Sequence, residues 1–490
     1  MSCHQKHLQE VNYGLFGHEL VVDNFAGGGG ASEGIEQALG RMVDLAINHN
    51  PLALAVHAVN HPTSEHSVAD VWDINPETAT DGRPVGLCWF SPDCRHHSRA
   101  KGGRPVSKSV RGLAWVAARW AEKVKPRAIV LENVSEFMEW GPLIKGPDGK
   151  TRPCPVRKGQ TFRAFVQRLK RHGYDVDWRV LKACDYGTPT IRERFFLVAR
   201  RDGRPIIWPK PTHGEPGSLA VLRGKLKPWV SAAECIDWSI PTVSIFDRKK
   251  PLVDATLRRI ANGIARYVVQ NPQPYFVKPH QPSPGDVLED CATEGKPSHG
   301  LCNAQRVASF LEQYAPGKLA DTAGEPITLT TDQVTEPLAA LMLNMKGSNR
   351  QARDITSPLT TICTGSTHAY LTVAFLAPYY GSGSGLTGRD LHDPLPTITT
   401  KDRLKLVTVT LDGQTFALVD IGIRMLQPHE LAMAQGFPKG YMFSHANGEK
   451  IAKNKQVMLI GNSVPPPLAK AIVQANFAHE SQLLTSPVAA

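Results

Sequence analysis

Apolar residues in the N-terminal part of the chain occur in two patterns, short continuous runs and helical spacing. Runs of about four to eight apolar residues between turn residues are typical of buried strands, and helical spacing predicts amphipathic helices. The predicted strands are Leu20–Phe25, Leu45–Asn48, a run ending at Phe90, Ala128–Val134 and a run ending at Ala199; the predicted helices are Ser32–Leu39, Leu113–Val124 and Phe162–Leu169. This alternation favours an α/β fold with a largely parallel sheet.

Four glycines, Gly27–Gly30, separate the first predicted strand from the first predicted helix. Because glycine has no Cβ, such a turn lets backbone N–H groups and a helix N-terminus approach a nucleotide-like cofactor. The second strand ends in Asn48, where a ribose-binding site often carries an acid, and Asp70 closes a third strand unit. A glycine run can also be a plain turn, so the pattern indicates a cofactor site without identifying the cofactor.

A cysteine follows the predicted strand that ends at Phe90. Cys94 lies behind Pro92 and precedes a segment whose charged residues are all basic. Those residues are Arg95, Arg99, Lys101, Arg104, Lys108 and Arg111. Cationic surroundings favour the thiolate, which is the nucleophilic form of cysteine. On this stretch alone, Cys94 is a candidate nucleophile, a buried structural thiol, or part of a zinc site with Cys88, His96 and His97.

Further candidate groups lie on the two later strands. Glu132 stands near the end of Ala128–Val134, and the carboxyl ends of neighbouring parallel strands face one crevice. Cys94 and Glu132 could therefore share a pocket, although Glu132 could also be a surface acid or a helix cap. Arg192 and Arg194 are two residues apart at the entry to the last strand, a spacing that places them on one side of it.

The pattern changes near Arg200. From Trp208 to Gln414 prolines are frequent, and Thr256–Val268 is the main helical pattern. A degenerate threonine-rich repeat occurs in this region, and each copy is predicted to be an extended strand unit. The copies are Glu325–Thr331, Ser357–Thr364 and Asp393–Thr400. An α/β pattern then returns, with helices predicted to open at Arg424–Leu431, to end at Gln435–Pro438 and to span Leu468–Ala478.

Length, cysteine usage and charge narrow the class of protein. A chain of 490 residues exceeds the size of a single core, so at least two domains are expected. No apolar run reaches the roughly 20 residues of a membrane span, and the polar N-terminus does not predict a signal peptide. The nine cysteines are scattered, which favours a reducing cytoplasm. A net charge of +11 suits a nucleic-acid partner.

With these motifs in order, the chain resembles the C5-cytosine DNA methyltransferase family. Asp23–Gly30 is similar to the family's S-adenosylmethionine loop, and Pro92-Asp93-Cys94 to its Pro-Pro-Cys-Gln nucleophile loop. Glu132-Asn133-Val134 corresponds to its Glu-Asn-Val motif, and Thr190–Arg194 to its arginine motif. Gln435–Pro438 and Gly461–Val464 resemble its last two motifs. Asp93, Arg95 and Thr190 depart from the family pattern, which leaves the geometry of their loops open.

The resemblance implies a Rossmann-like, S-adenosylmethionine-dependent methyltransferase domain from residues 1–205 plus 455–478. Residues 206–454 would form a second, mostly irregular or β target-recognition domain that contains the repeats. The implied cofactor-binding residues are Asp23, Phe25, Ala26, Gly27, Gly29, Asn48, Asp70, Asn462 and Ser463. The implied DNA-binding residues are Arg95, Arg99, Lys101 and Arg104.

The implied reaction is methylation of C5 of a flipped-out cytosine in a specific duplex DNA sequence. Cys94 would bond covalently to C6, and Glu132 would act near N3. Arg194 would hold the base at O2, and Arg192 would orient Glu132 or the loop. The resemblance also implies a cytoplasmic monomer that needs no metal and no membrane. Its partner would be double-stranded DNA. A cognate restriction endonuclease, where one exists, would act separately.

Three other functions compete with this one. The same fold could methylate cytosine in RNA, although the long segment between Arg200 and Arg424 favours duplex DNA by analogy. A catalytically silent DNA-binding module would not require Cys94, Glu132 and both arginines to be intact. An amino-methyltransferase of the adenine type would require a second proline and an aromatic residue, which Ser91-Pro92-Asp93-Cys94 lacks.

Overall fold

The chain divides into two compact units in the computed structural model. The model describes residues 19–93, 112–145, 151–271, 275–277, 299–316, 338–344, 352–362, 369–379, 408–411 and 414–485. The first unit comprises Met1–Val230, Thr361–Ser366 and Leu431–Ala490, and the second comprises Ser231–Thr360 and Thr367–Glu430. Residues 206–230 and 431–454, which the sequence placed with the second domain, therefore belong to the first unit.

Strands and helices alternate through the N-terminal part of the first unit. The elements are β1 (Leu20–Asn24), α1 (Gly30–Leu39), β2 (Leu45–Asn48), α2 (Pro51–Asn60), β3 (Glu65–Val68), α3 (Pro76–Ala79), β4 (Val85–Phe90), α4 (Trp115–Lys123), β5 (Ala128–Asn133), β6 (Leu143–Lys145), β7 (Thr151–Pro153), α5 (Gln160–Arg171), β8 (Asp175–Lys182), β9 (Glu193–Arg200), β10 (His213–Gly214), α6 (Leu219–Leu222) and β11 (Lys227–Pro228). The predicted strands and helices correspond to β1, α1, β2, β4, α4, β5, α5 and β9, whereas α2 and β8 were not predicted.

The central sheet of the first unit has seven strands in the order β3-β2-β1-β4-β5-β9-β8. Strands β1 to β5 are parallel to one another, whereas β9 is antiparallel to both β5 and β8. The crossover connections place helices on both faces, as a doubly wound sheet requires. This topology confirms the predicted Rossmann-like α/β fold.

Each face of the sheet has its own core, because successive residues of a strand point to opposite faces. Val22 and Phe90 pack with α4 and α5, which contribute Trp120 and Phe165. On the other face Val21 lies in a core with apolar residues of α1. All of these side chains are almost fully buried, so the sheet is covered on both sides.

The second unit contains β12 (Val243–Ser244), α7 (Asp254–Ile264), β13 (Phe276–Val277), α8 (His299–Tyr314), β14 (Leu338–Asn344), β15 (Ala352–Asp354), β16 (Ala369–Tyr379), β17 (Thr408–Leu411) and β18 (Gln414–Met425). Its main sheet is antiparallel, in the order β12-β18-β16-β14-β13. The apolar sides of α7 and α8 cover this sheet, with Ile260, Leu311 and Leu341 in one core.

Two predictions for the second unit were incomplete or wrong. Helix α7 agrees with the helix predicted at Thr256–Val268, and a π-helical turn at Ala265–Val269 follows it. Helix α8 was not predicted. Within the second repeat, residues 357–362 are irregular with one isolated bridge at Leu359, so this described part is not a strand. The first and third repeats, Glu325–Thr331 and Asp393–Thr400, lie outside the described residues.

The chain then returns to the first unit through α9 (Pro428–Ala434), β19 (His445–Ala446), β20 (Glu449–Lys450), α10 (Lys453–Asn462) and α11 (Pro466–Thr485). The helix predicted to open at Arg424 begins at Pro428 instead, because β18 continues to Met425. The Glu430 carboxylate accepts hydrogen bonds from Gln427 N (2.6 Å) and Arg424 Nη1 (2.8 Å), which secures this helix start.

Helix α11 completes the core on the α1 face, where Leu468 and Ile472 are fully buried. The two helices lie very close: a Cβ on Gly30 would stand 2.3 Å from Val464 O, and one on Gly34 would stand 2.4 Å from Pro466 O. Glycine at these two positions is therefore required by helix packing. Among the described helices, none combines the length and the apolarity needed to cross a membrane.

Candidate active site

Three of the predicted site residues that the structure describes, Asp23, Asn48 and Glu132, lie at the carboxyl edge of the parallel strands. Asn24 ends β1, Asn48 ends β2 and Asn133 ends β5, while β4 leads directly into Ser91. Hydrogen bonds join these ends: Ser91 N donates to Asn24 O (3.2 Å), and Asn133 Nδ2 donates to Pro92 O (3.1 Å). This edge is where ligands bind in open α/β sheets.

The nucleophile loop begins at this edge. The described chain reaches Asp93, so Cys94, Arg95, Arg99, Lys101, Arg104, His96 and His97 lie outside the described residues. Pro92, two residues before Cys94, is fixed by the Asn133 amide, which therefore sets where the loop leaves the sheet. Sequence reasoning treated Asn133 only as part of a motif, and its strand-end position was the signal for this role.

Cys88 belongs to the core of the sheet. Its thiol is fully buried in β4 and accepts a hydrogen bond from Asn24 Nδ2 (3.3 Å). Burial raises the pKa of the Cys88 thiol well above its ordinary value, and the nearby Asp23 carboxyl adds to this effect. A neutral thiol held within the sheet is a poor metal ligand, so the geometry disfavours the zinc site that included Cys88.

Glu132 and Arg194 form a buried pair at the same edge. Arg194 Nε lies 2.9 Å from Glu132 Oε1, and both side chains are about nine-tenths buried. Burial raises the pKa of the Glu132 carboxyl and outweighs the opposing charges of Arg194 and Arg192. Glu132 is therefore neither a surface acid nor a helix cap, and burial lets its carboxyl keep a proton to a higher pH than an exposed glutamate would.

Arg192 makes a different set of contacts. It is 2% exposed and precedes the first residue of β9. Its guanidinium donates from Nη1 to Gly461 O (3.0 Å) and from Nη2 to Ser463 O (3.2 Å). The resemblance gave Arg192 the role of orienting Glu132 or the loop. In the structure Arg194 makes the direct contact with Glu132, and Arg192 contacts the turn after α10.

The glycine loop has the backbone of a close-approach turn. Phe25, Gly27 and Gly29 have φ angles of 64°, 58° and 95°. The left-handed conformation is uncommon for a residue such as phenylalanine and is found mainly where surrounding structure enforces it. Ala26 N donates to Ile47 O (3.1 Å), which ties the loop to the end of β2.

The other predicted cofactor-binding residues differ in burial and in hydrogen bonding. Asp23 is fully buried, with Oδ2 accepting from Ser32 Oγ (2.8 Å), and burial raises its pKa to about 7. Asn48 Oδ1 accepts from Asn50 N (2.9 Å), and exposed Asp70 accepts from Trp72 N (3.0 Å). Asn462 is exposed at the end of α10, whereas Ser463 is buried and donates to Leu459 O (2.9 Å).

A doubly wound sheet with this motif set at its carboxyl edge defines an α/β methyltransferase-like class. The chain belongs to the C-5 cytosine-specific DNA methylase family, whose model matches residues 20–223 and 340–478. The sequence is 25% identical over 487 residues to "DNA (cytosine-5)-methyltransferase PliMCI" of Paracentrotus lividus, covering 92% of this chain and 28% of that protein. The chain thus spans well under half the length of that relative.

Two further proteins illustrate the range of the likeness. "Type II methyltransferase M.AquIA" of Picosynechococcus sp. is 25% identical over 225 residues, covering 44% of this chain and 87% of that protein. The crystal structure of the S. pombe Dnmt2 methyltransferase is 15% identical, covers 96% of this chain and 100% of that one, and superposes with a TM-score of 0.43.

Proposed function

We propose that this protein transfers a methyl group from S-adenosylmethionine to C5 of a cytosine in double-stranded DNA. The observation that carries the proposal is the buried Glu132–Arg194 pair, 2.9 Å apart, at the sheet edge from which the Cys94 loop departs. Family membership supports the same reaction, since the matched residues include every motif that carries these groups.

The glycine loop fits the cofactor that the family implies. Gly27 and Gly29 adopt left-handed backbone that side chains rarely tolerate, so the loop can approach a ligand closely. In the described part of the chain, the buried acceptors Asp23 Oδ1 and Asn24 Oδ1 have no hydrogen-bond partner. A ligand with ammonium or amino donors would satisfy such acceptors. When bound, S-adenosylmethionine supplies an electrophilic methyl group on a sulfonium sulfur.

The remaining cofactor assignments follow the family motifs. Phe25, Ala26 and the glycines would line the cofactor, with Asn48 at the ribose and Asp70 nearby. Asn462 and Ser463 would close the site, since Arg192 fixes the carbonyls of Gly461 and Ser463.

The residues of the chain act on the pyrimidine in a defined order. The target cytosine is flipped out of the duplex, because C5 and C6 cannot be approached along the required faces inside the stack. The Cys94 thiolate then adds to C6, and Glu132 delivers a proton at N3, which neutralises the developing charge and makes C5 nucleophilic. Arg194 holds the ring at O2 while remaining next to Glu132. After methylation a base removes the C5 proton, the thiolate leaves C6, and Glu132 takes back the proton from N3.

The basic loop supports the DNA assignment. Arg95, Arg99, Lys101 and Arg104 would contact phosphates, which offsets the few kcal/mol that unstacking a base costs. We assign sequence recognition to the region from residue 206 to 454, because the family keeps its variable recognition segment there. The second unit, which forms most of this region, would read the duplex, and the first unit would catalyse.

The cellular setting is inferred from the composition and from the relatives. Scattered cysteines suit a reducing cytoplasm, and a monomer can hold the whole site. Relatives named as Type II methyltransferases suggest a separately acting restriction endonuclease as a partner in function.

A covalent trap tests the mechanism. Duplex DNA with 5-fluorocytosine at the target lacks the proton that must leave C5, so elimination is blocked and the Cys94 adduct accumulates. With S-adenosylmethionine, the wild-type protein should give a denaturant-resistant protein–DNA band, and Cys94→Ser should not. Cys88→Ser is the matched control, because Cys88 is a core thiol, and it should still trap.

The Glu132→Gln variant separates chemistry from binding. The amide cannot supply the proton at N3, so trapping should slow by roughly a hundredfold or more, while DNA affinity at fixed salt stays near wild type. A wild-type protein that methylates C5 in ordinary DNA yet never traps on fluorinated target sites would refute the covalent mechanism.

A further inference from the structure

The Tyr441 side chain forms the back wall of the glycine loop. Its hydroxyl donates to Gly28 O at 2.7 Å. The approach is so close that a Cβ on Gly29 would stand 2.1 Å from the Tyr441 hydroxyl oxygen. Tyr441 lies in the segment after α9, more than four hundred residues from the loop in sequence, so this contact exists only in the folded chain.

The Tyr441 ring is itself held in place. Phe437 and Phe443 pack against it, with ring centroids 4.6 and 5.2 Å away. Burial and the nearby carboxylates of Glu33, Asp23 and Glu36 raise the pKa of Tyr441 well above its ordinary value. The hydroxyl therefore keeps its proton at neutral pH and remains a donor to the Gly28 carbonyl.

A buried histidine supports the hydroxyl from the other side. His61 Nε2 lies 3.1 Å from the Tyr441 hydroxyl, and Nδ1 lies 3.0 Å from Glu36 Oε2. His61 is fully buried, and burial lowers its pKa to about 4, so the ring is neutral at neutral pH. A chain of contacts thus runs from Gly28 through Tyr441 and His61 to Glu36 on α1.

We propose that Tyr441 and His61 are positioning residues for the S-adenosylmethionine loop. Consecutive glycines have large conformational freedom. A ligand that must order them binds more weakly, because part of the binding free energy is used to order the loop. By fixing the Gly28 carbonyl, Tyr441 reduces the number of conformations that the loop samples before the cofactor binds. His61 acts through Tyr441 by limiting rotation of the hydroxyl. The identity of the ligand rests on the proposed function.

Tyrosine-to-phenylalanine variants test this role, with calorimetric titration of S-adenosylmethionine into the full-length protein. Tyr441→Phe keeps the ring and removes only the hydroxyl, so affinity should fall about three- to thirtyfold, in line with the loss of one buried hydrogen bond. Tyr174→Phe is the matched control, because that hydroxyl donates to Pro126 O (2.6 Å) away from the glycine loop. Both variants should lose thermal stability, but Tyr174→Phe should keep wild-type affinity.

The outcomes separate this inference from the proposed function. If the wild-type protein does not bind S-adenosylmethionine, the proposed function fails and the positioning role fails with it. If the wild-type protein binds and Tyr441→Phe binds equally well, only the positioning role is overturned. Should Tyr441→Phe not fold, His61→Phe replaces it: the hydroxyl then loses its second partner, and unchanged cofactor affinity would again overturn the role.

Discussion

Replacing Asp23 by asparagine should make the protein more stable at alkaline pH. Asp23 is fully buried at the end of β1, and its only described hydrogen-bond donor is Ser32. The other groups that face it are Cys88, Tyr441 and, through Ser32, His57. Burial keeps all of these neutral near pH 7, since it raises the pKa of the first two and lowers that of His57. No facing cation therefore offsets the charge of an ionised Asp23 among the described residues.

The pKa of Asp23 sets the size and the pH range of the effect. Burial raises it from 3.8 to about 7. The favourable contribution of the protonated form is complete below pH 3.8 and is lost as the pH rises through 7. Because each pKa unit is worth about 1.4 kcal/mol, the free energy of unfolding should fall by roughly 4 kcal/mol over this whole range, and by about 3 kcal/mol between pH 5 and pH 8. Asparagine still accepts from Ser32 and has no charge to bury.

Urea denaturation of both proteins at pH 5, 6, 7 and 8 measures this difference. The gain from Asp23→Asn should grow with pH, and the buried histidines cancel because they titrate in both proteins. Asp202→Asn is the control: burial alone would raise the pKa of Asp202, but Arg200 holds it below its ordinary value. Its effect should therefore be constant across these pH values. A gain from Asp23→Asn that does not change with pH would mean that Asp23 ionises normally, and the argument from burial would be wrong.

Two further predictions concern the packing of α11. Gly34→Ala should lower the free energy of unfolding by about 1–3 kcal/mol or more, because the new Cβ meets the backbone at Pro466. The control is Gly440→Ala, whose Cβ meets nothing within 4 Å. This control should be nearly neutral in the same urea titration. Arg127→Met should cost about 3–5 kcal/mol, because Arg127 pairs with the buried Glu19 and Glu480 at 2.7 Å each. Its control, Arg168→Met, breaks only an exposed pair and should cost less than about 1 kcal/mol in thermal melts; equal costs for the two arginine variants would contradict the burial argument.

Periodicity predicted the central strands of the first unit well because β1, β2, β4 and β5 are buried along their whole length. The run Ala128–Val134 is continuously apolar for that reason, and the structure gives β5 at Ala128–Asn133. Helices were predicted less well where the amino-acid composition did not indicate them. The many prolines between Trp208 and Gln414 hid α8, although Val307 and Leu311 recur at helical spacing and are buried. Helix α10, which includes Gly461, was likewise not predicted.

The sequence placed several candidate residues at strand ends, but it could not predict the contacts that those residues make. Strand ends could be located from the apolar runs, which brought Glu132 to the edge that leads to Cys94. Contacts between distant segments leave no local pattern: Arg192 bonds to Gly461 across 269 positions, and Tyr441 bonds to Gly28 across 413. The spacing of Arg192 and Arg194 predicted that they lie on one side of a strand, whereas β9 begins at Glu193 and Arg192 precedes it.

The packing of α11 onto α1 also has a consequence for the order in which the protein matures on the ribosome. The glycine loop and α1 are made early, but the residues that touch Gly30 and Gly34 lie about 430 positions later. At roughly 5–20 residues per second, a growing chain spends about 20–90 s with that face of the sheet uncovered. During this time the apolar side chains of α1 are available to chaperones and to other nascent chains, and the second unit is synthesised in the interval. The core on the α1 face of the sheet is therefore completed only after α11 has emerged from the ribosome.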